Sequence, residues 1–326
     1  MRVKDAAAEY LAKAEGQFCS GEVLAAHLGV SRNAVWKAVR ALQEEGYPIE
    51  SRKRIGYRLV TDADLLTEEA VREYLHTRTL GQQLLVFPEL DSTNAYCRKL
   101  LQKGGNCSGT VVAANCQTAG RGRQGRTFCS PAGSGLYFSL ILRPRLPFRD
   151  APLLTACAAV AVARAIDNLY GTQVRIKWVN DLYYRGKKVC GILTEAGTDL
   201  ESGQLEWLVV GIGLNLTATA EDFPPELTAK AGSLYPGGPA PVSRAALAGA
   251  IGRELLALCP GFACLDEYRA RCFVPGHWVT VCTGTETYAA QALSIDDAGR
   301  LVVQREGGRT EALRCGEVTI RPTKTE

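Results

Sequence analysis

Ten residues near the middle of the chain, Gln117-Thr-Ala-Gly-Arg-Gly-Arg-Gln-Gly-Arg126, restrict the possible folds more than any other stretch. Three glycines (Gly120, Gly122, Gly125) nearly alternate with three arginines (Arg121, Arg123, Arg126). Glycine permits sharp turns and close approach of backbone to a ligand. Arginine brings a permanent charge and a planar fork of donors suited to carboxylate or phosphate. Such a segment reads as a loop that orders around an anion. Its spacing, Gly120-x-Gly122-x-x-Gly125, also matches the dinucleotide fingerprint, which needs a strand before it and a helix after it to hold the pyrophosphate. The strand is present, since Thr110 to Cys116 is largely small and β-branched. The helix is not: Ser130-Pro-Ala-Gly-Ser-Gly135 follows, then Leu136 to Leu142, which reads as a second strand. The loop therefore joins two strands, and a doubly wound dinucleotide fold is disfavoured. A solvated basic loop without a ligand is the remaining alternative.

A chain of 326 residues has room for two or three domains. With 46% apolar and 22% charged residues it has the composition of an ordinary globular protein. Its net charge of +4 is too small to imply a nucleic-acid partner except through a local patch. The N-terminus lacks the apolar core of a signal peptide, and no run of 18 apolar residues suggests a membrane span. A cytoplasmic protein with no membrane partner is expected. The twelve cysteines include no C-x-x-C and read as free, mostly buried thiols. With only three histidines, no metal site built from side chains is expected.

Residues 1 to 60 form a self-contained pattern. A helix over Asp5 to Ala14 precedes a second one capped by Ser20, with Val23, Leu24 and Leu28 inward and Gly29 ending it. Ser31 then caps a third helix that runs to about Glu45 and stops at Gly46. Two helices joined by a short Gly-containing turn are a helix-turn-helix signature. On the third helix Ala34, Val35, Ala38, Val39 and Leu42 share one face, and Arg32, Asn33, Trp36, Lys37 and Arg40 the other. The stretch Ile49 to Leu59 reads as a hairpin whose tip carries Arg52, Lys53 and Arg54. A winged helix-turn-helix follows, with these outward residues and Ser31 as candidate DNA contacts. The alternative is a winged-helix module that binds protein.

After an acidic connector, Thr61 to Thr67, strands and helices mix up to about Cys272. The hairpin-linked strands suggest an α+β domain with helices on one side of a mixed sheet. From Phe273 onward, short strands separated by turns suggest a small SH3-like β-barrel. The expected units are 1–64, 65–272 and 273–326. The Pro/Gly-rich stretch from Phe223 to Pro241 suggests no chemistry.

Three motifs in order, Arg121-Gly-Arg-Gln-Gly-Arg126, Lys177-Trp-Val-Asn-Asp181 and Lys188-Val-Cys-Gly-Ile-Leu193, resemble those of biotin protein ligases. Asp91-Ser-Thr-Asn94, Gln117 and Gly211-Ile-Gly-Leu-Asn215 fit the same family. With the winged helix, the whole chain is similar to the bifunctional ligases that also repress biotin genes.

The resemblance implies a two-step reaction. Biotin and ATP form biotinyl-5′-adenylate, with Mg²⁺ on the phosphates, and the biotinyl group passes to a lysine of a biotin carboxyl carrier protein. It implies catalytic roles for Lys188, Arg121, Arg123 and Asp181. Biotin would be bound by Ser92, Thr93, Asn94, Gln117, Gly120, Arg121, Arg123, Lys188 and Gly191. ATP or the adenylate would be bound by Arg121, Arg123, Arg126, Phe128, Asn180, Lys188 and Asn215. It also implies operator DNA as a partner, biotinyl-5′-adenylate as corepressor and a ligand-dependent homodimer. Some residues carry plainer alternatives: Ser92 or Thr93 as a helix cap, Asn180 and Asp181 as turn caps. Two positions depart from the family pattern. Val179 stands where proline is usual, and Phe128 where tryptophan often covers the adenine. Rival readings are a ligase with a vestigial DNA-binding domain, a non-catalytic biotin sensor and a lipoate ligase.

Overall fold

A computed structural model describes residues 3–14, 16–44, 47, 49–60, 64, 66–144, 146–199, 201–284, 286–314 and 316–321. Its N-terminal part has three helices, α1 (Val3–Lys13), α2 (Gly21–Leu28) and α3 (Arg32–Glu44), and a hairpin of β1 (Ile49–Arg52) and β2 (Gly56–Leu59). Ser20 Oγ accepts from Val23 N at 3.1 Å, and Gly29 closes α2 in the left-handed region, as the sequence suggested. Leu11, Leu24, Val35, Val39, Leu42 and Ile49 form the shared core. Val23, expected inward, is half exposed, and Ala25, two residues on, is buried instead. The expected stop at Gly46 lies outside the described residues.

The rest of the chain adds α4 (Glu68–Leu75), β3 (Leu84–Phe87), α5 (Thr93–Gln102), β4 (Val111–Ala114), β5 (Gly135–Leu142) and α6 (Ala151–Tyr170). Then come β6 (Arg175–Lys177), β7 (Asp181–Tyr184), β8 (Lys187–Thr198), β9 (Leu205–Asn215), α7 (Arg244–Leu258) and α8 (Leu265–Arg271). Strands β3 to β9 make one sheet in the order β3-β4-β5-β9-β8-β7-β6, parallel only between β3 and β4. The helices do not keep to one side. Leu140, Val210 and Ile212 face α6 and α7, whereas Val112, Ile141 and Val209 face α5 across the sheet. Both faces of the central strands are therefore apolar, a pattern that alternation alone does not assign to one layer.

By length and composition Phe148–Tyr170 is able to cross a membrane, yet 72% of its most apolar window is buried in this core. The eleven described cysteines are all free thiols. They are not all isolated, since Cys157 of α6 and Cys264, which precedes α8, bring their sulfurs to 2.8 Å.

The C-terminal strands are β10 (Trp278–Cys282), β11 (Thr287–Ile295), β12 (Leu301–Arg305), β13 (Thr310–Leu313) and β14 (Glu317–Ile320). They form an antiparallel sheet, β13-β12-β11-β10-β14, which among the described residues is open: β13 and β14 are its edges. Val279, Val281, Ala290 and Leu301 of this sheet join the main core, and Trp178 Nε1 donates to Gly299 O at 3.1 Å.

Candidate active site

Helix α5 covers only the β3-β4-β5-β9 half of its face of the sheet, so the half formed by β9, β8, β7 and β6 is free to floor a cavity of about 510 Å³. The floor is set by strand register. Lys177 pairs with Asp181, Asp181 with Gly191, Gly191 with Gly213 and Gly213 with Tyr137, one row across five strands. Side chains of paired residues share a face. Two members of the row are glycines, and they make room for the ring of Phe128. A Cβ on Gly213 would lie 2.6 Å from Phe128 Cε1, and one on Gly191 would lie 3.3 Å from Phe128 Cε2. The aromatic ring thus lies on bare backbone in the middle of the floor.

At one end of the cavity stands a polar cluster from the start of α5. Thr93 N and Oγ1 lie 2.9 and 3.2 Å from Gln117 Oε1, and Gln117 Nε2 donates to Ser130 Oγ at 2.9 Å. Ser139 Oγ lies 2.7 Å from both Thr93 Oγ1 and Asn94 Oδ1. Asn94 Nδ2 donates to Leu193 O at 3.2 Å and Glu195 Oε2 at 2.7 Å. Its amide is consumed internally, so Asn94 holds the wall as well as lining it. Ser92 caps α5 through Ala95 N and lines the cavity too, so the two readings of Ser92 are compatible.

At the other end, Lys188 Nζ lies 2.7 Å from Asp181 Oδ1. That oxygen is buried and accepts no well-directed hydrogen bond, so this is a contact of charges rather than an aligned bond. Lys188 reaches the cavity because of a bulge. The register shifts between Leu182 and Tyr183, and Lys188 pairs with Tyr183. Unbroken alternation from Gly191 would send Lys188 to the opposite face. Backbone bonds to the Pro/Gly-rich segment fix it from outside: Lys188 N donates to Lys230 O and Gly232 N to Lys188 O.

The Gly/Arg loop closes the top. Gly122 N donates to Arg126 O at 2.7 Å, and Phe128 N to Gly120 O at 2.9 Å. Arg121, Arg123 and Arg126 all line the cavity, with Arg123 Nη1 3.3 Å from Asn180 Oδ1. Gly120 does not line it. A Cβ there would lie 2.3 Å from Phe128 O, so this glycine permits the loop's closure rather than meeting a ligand. Asn180 Nδ2 donates to Ile192 O at 2.6 Å, a tie to the neighbouring strand β8 rather than a cap of its own turn, and the residue lines the wall. Tyr268 OH donates to Val179 O at 2.9 Å and holds the same turn, whose Trp178–Val179 peptide is cis. Asn215 donates to Gly232 O at 3.1 Å, while its buried Oδ1 has no donor among the described residues.

Several residues of the site escaped the sequence reading. Ser139 and Glu195, in ordinary strand patterns, hold Thr93 and Asn94 in place without lining the cavity. Phe223, Leu227 and Ala231 belong to the Pro/Gly-rich segment that suggested no chemistry. Glu317 reaches the site from β14 and takes Arg126 in a bidentate ion pair, one bond at 2.7 Å and the other shorter. The Arg126 guanidinium holds the Glu317 carboxyl below its ordinary range. The helix-turn-helix face is as expected: Ser31, Arg32, Asn33, Trp36, Lys37 and Arg40 are exposed, and Arg40 lies 5.4 Å over the Trp36 ring. On the hairpin, Lys53 and Arg54 are exposed at the tip, whereas Arg52 is drawn back to Glu50 at 2.6 Å.

Residues 86–215 match the Biotin/lipoate A/B protein ligase family, and residues 5–58 match an HTH domain family. The Bifunctional ligase/repressor BirA of Bacillus subtilis is 36% identical over 312 residues, 92% of this chain and 93% of the relative. The protein of the same name from Escherichia coli is 35% identical over 204 residues, 62% of this chain and 61% of the relative. Among solved structures, the biotin protein ligase from Aquifex aeolicus in complex with biotin and ATP superimposes with a TM-score of 0.60 at 25% identity, over 74% of this chain and all of that one. The chain belongs to the family of bifunctional ligase/repressors built on a biotin protein ligase domain.

Proposed function

We propose that this cavity joins biotin and ATP as biotinyl-5′-adenylate and delivers the biotinyl group to a lysine of a carrier protein. One observation carries the reading: a single floor bears a hydrogen-bonding cluster at one end, a Lys–carboxylate pair at the other and an aromatic ring between them. The ureido group of biotin needs both donors and acceptors, and Ser92, Thr93 and Gln117 offer them in fixed orientation. A ligand without such groups leaves buried polar atoms unpaired and is rejected. Phe128 is placed to stack on adenine, and Asn215 Oδ1, lacking a donor, is placed to accept from its amino group.

The first step brings a carboxylate onto a phosphate, two anions, so its barrier falls where positive charge is preorganised. Lys188, Arg121 and Arg123 supply that charge, and the Gly/Arg loop keeps water from the mixed anhydride. Mg²⁺ fits this site as an ion carried mainly by phosphates and water. No group of three His, Cys, Asp or Glu side chains gathers among the described residues, and the nearest carboxylate oxygen, Asp181 Oδ1, is buried without a directed bond but shared with Lys188 Nζ. When bound, it would neutralise phosphate charge. Incubation with biotin, ATP, Mg²⁺ and a carrier domain, read by intact mass, tests the assignment. A carrier that gains no biotinyl group refutes it.

The N-terminal domain is read as an operator-binding winged helix with biotinyl-5′-adenylate as corepressor, acting as a ligand-dependent homodimer in the cytoplasm. Its exposed basic helix face and hairpin tip support contact with phosphates and base edges. The units proposed are 1–64, 65–272 and 273–326, the last an SH3-like fold supported by its size and antiparallel meander.

A further inference from the structure

Lys177 has no place in the roles assigned so far. It ends β6, pairs in register with Asp181 and lines the cavity at the far end of the floor row. Its side chain is partly withdrawn from water, and among the described residues it has neither an ion pair nor a hydrogen bond. The two carboxylates nearest in charge, Asp181 and Glu317, are occupied by Lys188 and Arg126. Its one contact of note is the Tyr183 ring, 5.8 Å from Nζ, close to the distance limit for a cation–π interaction and therefore weak. That does not offset the cost of holding an ammonium away from water without a counter-charge. Burial draws its proton affinity below the ordinary lysine value, with Lys188 and Arg126 acting in the same sense and Asp181 and Glu317 opposing. An unpaired cation facing a cavity is arranged for an anion that arrives with the substrate.

The position along the row indicates which anion. Phe128 lies over Gly213 and Gly191, and the Lys188–Asp181 pair is one strand further on. Lys177 is a strand beyond that, so that two strand spacings, roughly 10 Å, separate it from Gly191. If the nucleoside lies over the glycines and the α-phosphate near Lys188, the outer phosphates extend towards Lys177.

We propose that Lys177 is a further catalytic residue of adenylate formation, its ammonium holding the β- and γ-phosphates of ATP and the pyrophosphate that leaves. The inference rests on the reading of the cavity given under Proposed function. In that step a biotin carboxylate oxygen forms a bond to the α-phosphorus. The bond from the α-phosphorus to the bridging oxygen breaks, and its electron pair leaves on pyrophosphate. Lys177 stays protonated and stabilises charge on the leaving group. In the second step a carrier amine attacks the acyl carbonyl and AMP departs. No pyrophosphate takes part, so Lys177 has no role there.

The test separates the two half-reactions. Adenylate formation is followed by ATP–pyrophosphate exchange, and transfer is followed with supplied biotinyl-5′-adenylate and a carrier domain. Lys177→Met keeps the length of the chain and removes the charge. Exchange should fall by about 10²-fold, with a raised KM for ATP and pyrophosphate, while transfer from the supplied adenylate keeps its wild-type rate. Lys177→Arg should recover part of the exchange activity. Equal losses in both half-reactions would mark Lys177 as merely structural, and unchanged exchange would remove it from the site; either overturns the proposal. Wild-type protein that fails to exchange pyrophosphate at all would instead overturn the reading of the cavity, a result distinguishable from both.

Discussion

Gly211→Ala tests the architecture of the polar end of the site, because a single methyl group there meets an immovable neighbour. The new Cβ would lie 2.0 Å from Asn94 Oδ1 and 2.7 Å from its Cγ, so Asn94 must retreat by about 1.4 Å to reach the 3.4 Å of ordinary contact. Asn94 is held at 2.7 Å by Ser139, at 2.7 Å by Glu195 and at 3.2 Å by the Leu193 carbonyl, and it is buried. A shift of that size breaks all three bonds. Neutral bonds are worth about 0.5–1.5 kcal/mol net and one to a carboxylate about 1.5–3, so the loss amounts to roughly 2.5–6 kcal/mol. Thr93, next in sequence, orients Gln117, so biotin affinity should fall by at least about tenfold, the equivalent of 1.4 kcal/mol. Denaturant unfolding and titration calorimetry with biotin measure the two effects. In an Asn94→Ala background the methyl group finds open space, and Gly211→Ala should then cost little more. A Gly211→Ala protein of wild-type stability, or one equally damaged in both backgrounds, would refute the reasoning.

Lys188→Ala should lower the rate of adenylate formation by about 10²–10³-fold while biotin binding, measured by calorimetry, changes little; wild-type turnover would end its assignment. The Arg126–Glu317 pair ties the loop to β14, and its glutamate titrates below the ordinary value. The stabilisation it gives is present above that ordinary value and lost as pH falls through the depressed one. The difference in Tm between wild type and Glu317→Gln should therefore be constant at neutral and mildly acid pH and vanish only at lower pH; a difference that disappears already near neutrality contradicts the pairing. Arg40→Ala and Arg54→Ala should each lower the salt dependence of operator binding by up to about one phosphate contact, and an unchanged slope in both would remove this face from DNA. A truncated protein beginning after Asp64 should be less stable than one that retains it, by about 3–5 kcal/mol, as judged by thermal unfolding.

Much of this arrangement was legible in the sequence because its signals are local. The caps at Ser20 and Ser92 and the glycine at 29 depend on neighbours a few residues away, and these elements stand where the pattern put them. The motifs around Arg121, Asn180 and Lys188 do converge on one cavity. What was not legible depends on partners distant in sequence. No pattern around Lys188 announces the bulge that turns it inward, and nothing near Gly213 says that the ring of Phe128 will fill its missing side chain. Glu317 meets Arg126 across 191 positions. The helices were expected on one side because Val112, Ile141 and Val209 look like any strand interior; only the register reveals that they face α5.

Arg244 shows the same limit at the boundary between the DNA-binding and ligase parts. It opens α7, and at 4% exposure it is among the most buried charges in the chain. Its backbone N–H donates to both carboxylate oxygens of Asp64, and its guanidinium to Asp64 Oδ2 at 3.0 Å and to the Asp64 carbonyl. The same guanidinium reaches Asn115 Oδ1 at 2.9 Å and Gly135 O at 3.3 Å. A charge so far from water is tolerated only when paired and fully bonded. Asp64, the last residue of the first proposed unit, is therefore bonded into the second, although the acidic composition of 61–67 reads as a solvated connector. The pair also has a geometric consequence. Asn115 precedes the Gly/Arg loop and Gly135 follows it, so one side chain fastens both ends of the loop that closes the active site and the segment leading in from the winged helix. Movement of either loop end reaches Asp64 through bonds whose loss would leave a buried charge uncompensated. A side chain outside the cavity lining thus ties Asp64 to both ends of the loop that closes the cavity.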